Sequence, residues 1–316
     1  MEWEEVNPQK AATIHNNCGV IYHSKGSFNE AKDEYNYALK ILSSHNMICN
    51  ELFAEINSNL GDLYCDMDIF NKAEIQYNIA QKIITDILGE DSSETASIYA
   101  SKGNLYEAVG EYNKAKNMYE HSLEIRQKLF GQENAEIAQS YISLGLINIR
   151  LKDYKKAEEY LNHSLSIRLS LYGKNSISVA NCYSNLGGLY DEIGNITKAE
   201  ECYLESIKIR EKIDVEPSDL ALSYCNLGAF YIEQSVFGKA EDYILKSLQI
   251  REKVFGKEHH ETAHAYYWLG KLYKEKGNLT DAGINLLMAL NIQEKVLGKD
   301  AFATQKTQEL INEIDS

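Results

Sequence analysis

Small and apolar residues recur along this chain with a period of 42 residues, and within each period they fall at helical spacing. An alanine stands seven residues before a repeated glycine, and a second alanine stands twelve residues after it, in every copy. The glycines are 42 residues apart except for one interval of 41: Gly19, Gly61, Gly103, Gly145, Gly187, Gly228 and Gly270. Self-similarity through seven copies indicates a repeat protein.

Each copy predicts two amphipathic helices when its residues are numbered from the repeat glycine as position 0. Positions −7, −4, −1, 0 and +3 carry mainly alanine, tyrosine, leucine, glycine and tyrosine, and positions +9, +12, +16, +19, +20 and +22 are aromatic, small or aliphatic. Intervals of three and four residues put each set on one face of a helix. A frequent glycine at +7 ends the first helix, and Ser27, Asp153, Asn195 and Asn278 at +8 are expected to cap the second.

The predicted architecture is all-α, with seven stacked helical hairpins and a C-terminal capping helix in one domain over 1–316. The predicted repeats cover about 9–50, 51–92, 93–134, 135–176, 177–217, 218–259 and 260–300, and the capping helix covers about 301–315. Asn7 and Pro8 fit the start of the first helix. The 41-residue interval, at 213–221, contains Pro217 and predicts a local break in the stacking.

Three motifs resemble the tetratricopeptide repeat (TPR): L-G-x-L-Y at 186–190, G-x-Y-x-K-A at 110–115 and Y-x-x-S-L at 119–123. The junctions between repeats, such as SLEIRQKLFG at 122–131 and SLQIREKVFG at 247–256, are similar to those of kinesin light chain. The resemblance covers essentially the whole chain. It implies an α-solenoid wound as a right-handed superhelix, in which the first helices line a concave groove that binds extended or helical peptides.

If positions −7, −4, −1, 0 and +3 of the first helix face the core, the exposed groove positions are expected at −6, −3, −2, +1, +4 and +5. Asparagine recurs at −2, where its amide can both donate to and accept from a peptide backbone. The alternative is that asparagine is merely frequent at this position in TPRs. The candidate partner-binding residues from the first to the sixth repeat are Asn17, Glu55, Asn59, Asp62, Asn104, Glu107, Asn185, Asp191 and Asn226.

The seventh repeat adds an aromatic and basic patch of His264, Tyr267, Trp268 and Lys271 on its first helix. An exposed tryptophan beside a tyrosine is a typical hot spot for partner binding. The alternative is that Trp268 packs under the capping helix.

Charge narrows the class of partner. The net charge of −15 argues against nucleic acid and anionic membranes as ligands. The groove positions carry eight acidic side chains (Glu55, Asp62, Asp66, Glu107, Asp191, Glu192, Glu233 and Glu275) and three basic ones (Arg150, Lys271 and Lys274). A basic or apolar protein segment is therefore the expected partner, unlike the acidic cargo peptides that kinesin light chains bind through basic residues.

No export signal or membrane-spanning apolar run is visible, so a cytoplasmic location is expected.

Two further patterns resemble sites at which chemistry or ligand binding occurs in other proteins. His260, Glu261 and His264 form an HExxH sequence, which in metalloproteases binds zinc and supplies a base. Ala263 belongs to the alanine row and no third ligand follows, so the match is interpreted as fortuitous. Arginines recur at +23 (Arg126, Arg168, Arg210 and Arg251) and are interpreted as packing between repeats rather than phosphate binding.

No catalytic residue, metal or cofactor is therefore expected, and the leading hypothesis is a non-enzymatic scaffold or adaptor. Two alternatives remain open at this point: a regulatory sensor that responds to a peptide, and the recognition array of a larger signalling or defence assembly.

Overall fold

A computed structural model of the chain describes residues 7–213, 216–299 and 301–315, and these residues form fifteen α-helices and no strand. The helices are α1 (Pro8–Ser24), α2 (Phe28–Ser44), α3 (Glu51–Asp66), α4 (Phe70–Leu88), α5 (Ser93–Ala108), α6 (Tyr112–Phe130), α7 (Ala135–Arg150), α8 (Tyr154–Tyr172), α9 (Ile177–Glu192), α10 (Ile196–Lys212), α11 (Pro217–Glu233), α12 (Phe237–Phe255), α13 (His260–Glu275), α14 (Leu279–Val296) and α15 (Phe302–Asp315). The all-α prediction is confirmed, and α1 begins at Pro8 as expected.

By its internal contacts the chain divides into two compact units, Met1–Ile167 and Arg168–Ser316. In the first unit, α1 packs on α2, α3 on α4 and α5 on α6 as hairpins, and each second helix also packs on the first helix that follows it. In the second unit, α9 and α10, α11 and α12, and α13 and α14 form the hairpins, and α15 packs against α14. Within each unit, neighbouring first helices such as α1 and α3, or α11 and α13, touch each other.

The 41-residue junction leaves its two flanking helices in contact. Helix α10 ends at Lys212, α11 begins at Pro217, and the two helices pack against each other. The local break predicted at 213–221 stays a prediction, and residues 214 and 215 lie outside the described part of the chain.

The repeat glycine lies under the side chain at +16. A Cβ on Gly61 would lie 2.6 Å from Cε1 of Tyr77, and a Cβ on Gly187 would lie 2.8 Å from Cδ1 of Tyr203. The two alanine rows are buried, with none of their members more than 1% exposed. The glycine row therefore makes room chiefly for a large side chain. From the sequence, a glycine inside a helix predicts a close approach of two backbones, and this prediction is wrong at Gly61 and Gly187, where the three atoms nearest the added Cβ belong to the tyrosine side chain.

The helix ends follow the predicted stop and start signals with one exception. Position +7 is left-handed in every repeat, through Gly26, Gly110, Gly194 and Gly277 and also through Asp68, Lys152 and Ser235. At +8 the side chains of Asp153, Asn195 and Asn278 each accept a hydrogen bond, at 3.3 Å, from the backbone N–H three residues later. Ser27 occupies the same position, but its side chain makes no capping hydrogen bond.

Tyrosines at +3 join successive repeats through their hydroxyl groups. The hydroxyl of Tyr106 donates to Oε1 of Glu74 in the preceding repeat at 2.7 Å, and the hydroxyl of Tyr273 donates to Oε1 of Glu241 at the same distance. Burial and the adjacent Glu74 raise the pKa of Tyr106 to about 12, so the phenol remains a donor at neutral pH. Each of these hydrogen bonds ties a first helix to the second helix of the repeat before it.

Replacing Tyr106 by phenylalanine is expected to lower the free energy of unfolding by about 1 kcal/mol, because the partly buried hydrogen bond to Glu74 is lost while the ring is kept. The shift of the urea midpoint, measured by circular dichroism, tests this. Tyr172→Phe, at a tyrosine that is 49% exposed, serves as the matched comparison. Equal midpoints for the two variants would show that the Tyr106 hydroxyl does not stabilise the junction.

Candidate protein-binding groove

The exposed face of α1, α3 and α5 in the first unit is called the groove face here, and a polar ladder crosses it. Nδ2 of Asn59 donates to Oδ1 of Asn16 at 2.9 Å, and Nδ2 of Asn16 donates to Oε1 of Glu55 at 2.8 Å. Asn16 is 1% exposed, so the ladder runs partly beneath the surface. Asn16 thus joins Asn59 and Glu55, two of the candidate residues. Position −3 is expected from the sequence to be exposed, and this expectation is wrong at Asn16, which is buried because it packs against the neighbouring helix.

A pocket of about 320 Å³ opens on the groove face between α3 and α5. Its floor is apolar and consists of Ala54, Ile84 and Ile98. Its polar wall includes three carboxylates, Glu51, Glu55 and Glu94, together with Ser58, Asn59, Ser93 and Ser97. An apolar floor with a few converging polar groups is typical of a binding pocket. Of these residues, only Glu55 and Asn59 are among the candidates predicted from the sequence.

Three other candidates of the first unit are bonded to core tyrosines at +16. The hydroxyl of Tyr77 donates to Oδ1 of Asp62 at 2.6 Å. The hydroxyl of Tyr119 donates to Oδ1 of Asn104 at 2.7 Å and to Oε2 of Glu107 at 3.0 Å. Burial raises the pKa of Asp62, and its hydrogen bonds oppose this rise. These side chains lie on the groove face, but the packing beneath them fixes their positions.

Asn17 lies elsewhere on the groove face and is exposed. In the second unit, Asn226 is exposed and Asn185 is half-buried.

Asp191 of the second unit is also half-buried. Loss of hydration, followed by the negative charges of Glu233 and Glu192, raises the pKa of Asp191 to about 6. A cation placed beside these three carboxylates would relieve their mutual repulsion.

The predicted patch on α13 is assembled. Nε1 of Trp268 donates to Nε2 of His264 at 3.1 Å, Nζ of Lys271 lies 4.8 Å from the ring centroid of Trp268, and the Tyr267 and Trp268 rings are 5.7 Å apart. Trp268 is half-buried. The neighbouring Lys274 forms an ion pair with Glu313 of the capping helix. The patch therefore lies beside α15, and its role in binding stays a prediction.

The HExxH residues are engaged in a different arrangement from a zinc site. The guanidinium of Arg251, which is 1% exposed, lies 3.0 Å from Oε2 of Glu261 and 3.1 Å from Nδ1 of His264. His260 is exposed. Among the described residues, no group of three or more histidine, cysteine or acidic side chains is placed to hold a metal ion. A cation already lies against two of the motif residues, which favours the fortuitous interpretation.

The imidazole of His264 is expected to titrate far below its ordinary pKa of 6.5. The ring loses part of its hydration where it packs against the protein, and the positive charge of Arg251 acts in the same direction. Together they lower the pKa of His264 to about 4, although more than a third of the residue is exposed. Protonation of Nε2 would also remove the acceptor for Trp268. Because the folded protein binds this proton less readily than the unfolded chain, the contribution of His264 to stability is lost as the pH falls from 6.5 towards 4.

Long-range ¹H–¹⁵N NMR of the imidazole tests this, since it reports the protonation of each ring nitrogen. The result expected is a neutral ring at pH 5, and Arg251→Met should raise the midpoint of titration. A midpoint near 6.5 in the unaltered protein would contradict the contact between this ring and Arg251.

The arginine row at +23 connects repeats as interpreted from the sequence. Nη1 of Arg168 donates to the carbonyl oxygen of Ser178 at 3.1 Å, and Nη2 of Arg126 lies 3.2 Å from Oε2 of Glu136, in each case at position −9 of the following repeat. Arg251 reaches the same position, Glu261. Arg210, at the 41-residue junction, differs because its Nη2 donates to Asn181 of its own hairpin at 2.5 Å.

The sequence matches the profile of the tetratricopeptide repeat family over residues 52–128, 136–212 and 219–304, and the chain belongs to this family. TPR proteins generally act as non-catalytic scaffolds for interactions between proteins. No curated protein matches the sequence. Among the described residues, no helix is both long and apolar enough to cross a membrane.

Solved structures of other repeat proteins share this fold. BtubC (BKLC) from P. vanneervenii is 27% identical, with a TM-score of 0.59 over 73% of this chain and 91% of that one. A tetratricopeptide repeat protein from Parabacteroides merdae ATCC 43184 is 18% identical, with a TM-score of 0.62 over 97% and 100%. A Podosopora anserina protein with nearly identical TPR-like repeats, which carries the name kinesin light chain, is 19% identical with a TM-score of 0.54 over 64% and 96%.

Proposed function

We propose that this protein is a non-enzymatic scaffold or adaptor that holds a segment of a partner protein on the exposed face of its first helices. The observation that carries the proposal is the pocket between α3 and α5, which lies beside the ladder of Asn16, Glu55 and Asn59. The exposed amides of Asn17 and Asn226 provide donors and acceptors for a partner's backbone, and the pocket provides room for one of its side chains. Because packing holds the helices in place, little ordering of the receptor opposes binding.

The charge of this face supports a basic or apolar segment as the ligand. Glu51, Glu55 and Glu94 surround the pocket of the first unit. In the second unit, Asp191 is held close enough to Glu233 and Glu192 for their charges to raise its pKa. On either unit a basic segment would meet complementary charge, whereas an acidic one would be repelled.

A pair of leucine variants on opposite faces tests the proposal. Leu146 and Leu222 lie on first helices at groove positions and are 37% and 48% exposed. Leu146→Lys with Leu222→Lys would repel a basic segment and remove apolar contacts, so this variant should weaken capture of a partner from native lysate at least tenfold. Leu204 and Leu245 lie on second helices and are 38% and 44% exposed. Leu204→Lys with Leu245→Lys introduces the same charge elsewhere and should leave capture unchanged.

Circular dichroism must first show that both variants are folded. Loss of the partner from the first variant alone supports binding on the face of the first helices. Retention of the partner by the first variant, or its loss from the second variant alone, would contradict the proposal.

A further inference from the structure

The pocket on the groove face lies where the arginine row at +23 is interrupted. In the third and sixth repeats, the arginine at +23 forms an ion pair with a glutamate at −9 of the next repeat: Arg126 with Glu136, and Arg251 with Glu261. In the second repeat, position +23 is Ile84, whereas position −9 of the next repeat is Glu94. This junction therefore keeps the glutamate of the ion pair but has no arginine to bind it.

The walls of the pocket correspond to the surroundings of the buried arginines. Arg126 donates to Ser140 at −5, and Arg251 contacts His264 at −6; the pocket has Ile98 and Ser97 at these positions. Arg210 donates to Asn181, at −6 of its own repeat, and the pocket has Glu55 at this position. The pocket thus has the positions that receive a guanidinium at other junctions, and Ile84 is too short to reach them.

The first repeat gives the contrasting case. Its residue at +23 is Leu42, and position −9 of the next repeat is Leu52; these side chains are 0% and 9% exposed. Both side chains at that junction are apolar, so each has a partner of the same polarity. The junction at Ile84 combines an aliphatic +23 residue with a glutamate at −9, and it is there that a pocket of about 320 Å³ remains.

We propose that this pocket is an empty arginine slot, which binds the side chain of an arginine in the partner segment. The inference rests on the proposed function, because it assigns the residue type that the groove selects. The aliphatic stem would lie on Ile84 and Ile98, and the guanidinium would meet the carboxylates of Glu94 and Glu55. The hydrogen bond from Asn16, at 2.8 Å, orients Glu55. A planar guanidinium suits two carboxylates better than an ammonium does, since it donates in a fixed fork.

A short peptide tests the slot without knowledge of the partner. Ac-Gly-Arg-Gly-NH2 is titrated into protein with ¹³C-labelled isoleucine methyl groups, and Ac-Gly-Cit-Gly-NH2 serves as the matched peptide because citrulline has nearly the same shape without the charge. The expected result is saturable shifts at the methyl groups of Ile84 and Ile98, with affinity at least tenfold lower for citrulline. Equal shifts for both peptides, or none at these methyl groups with the arginine peptide, would overturn the proposal.

Two variants separate the slot from general charge attraction. Glu94→Gln should weaken arginine binding about tenfold or more. Ile84→Arg should fill the slot with the protein's own arginine, as at the junctions of Arg126 and Arg251, and abolish the shift at Ile98. Unchanged binding by Glu94→Gln would overturn the proposal even if Ile84→Arg failed to fold.

The slot and the proposed function can fail separately. If the arginine peptide leaves Ile84 and Ile98 unshifted while Leu146→Lys with Leu222→Lys still loses the partner, the slot is wrong and groove binding stands. If the peptide binds as expected while that variant keeps the partner, the slot exists but does not serve the proposed function.

Discussion

Substitution of Gly187 by alanine is expected to destabilise the protein, whereas the same substitution at the adjacent Gly188 is expected to stabilise it. A Cβ at position 187 would lie 2.8 Å from two carbon atoms of the Tyr203 ring, which is too close for real side chains. A Cβ at position 188 would lie 3.7 Å from the Tyr203 hydroxyl, an ordinary contact. Both residues lie inside α9, so the intrinsic helical preference for alanine is gained in either case.

The expected loss for Gly187→Ala is about 1–3 kcal/mol, because the ring of Tyr203 must move within a packed hairpin. The expected gain for Gly188→Ala is about 0.5–1 kcal/mol, because glycine is the poorer helix former. Urea denaturation followed by circular dichroism measures both. A stabilising Gly187→Ala would contradict the close packing of the +16 side chain on the repeat glycine.

Truncation of Arg251 to alanine is expected to lower the free energy of unfolding by about 3 kcal/mol. The side chain is 1% exposed, donates to the carbonyl oxygen of Glu261 at 2.5 Å and lies 3.0 Å from Oε2 of the same residue. Alanine would leave both a cavity and an unpaired carboxylate between α12 and α13. Arg251→Met keeps most of the volume and should cost about half as much.

Arg150→Ala provides the comparison for loss of the same charge at an exposed position, where the expected change is within about 0.5 kcal/mol. The three variants are compared by their denaturation midpoints. If Arg251→Ala matched Arg150→Ala, the arginine row would not be holding successive repeats together.

The helical hairpins could be predicted from the sequence because their signals are local and repeat. The alanine rows, the stop at +7 and Pro8 at the first helix each depend on neighbours within a few residues, and the structure has helices at the expected places. The cause of the glycine row was harder to predict. Gly187 and Tyr203 are 16 residues apart, and the contact between them depends on how two helices cross.

The exposed positions of the first helices were predicted by subtracting the core positions, and Asn17 and Asn226 are exposed as expected. Asn16 was missed because its partners Glu55 and Asn59 lie on another helix. The pocket was missed for a similar reason. Its sequence signal is the pairing of Ile84 with Glu94 where other repeats have arginine and glutamate, and this can be recognised only after contacts show that +23 meets −9.

The groove assignment is tested most directly by photo-crosslinking from two positions, with p-benzoylphenylalanine placed at Ser97 or at Asn117. Ser97 is exposed beside the pocket, whereas Asn117 is exposed on α6, a second helix. We predict that the partner captured by the unaltered chain crosslinks from position 97 and not from 117, through a segment that contains arginine. Crosslinking from position 117 alone would contradict groove binding and assign the interaction to the second helices.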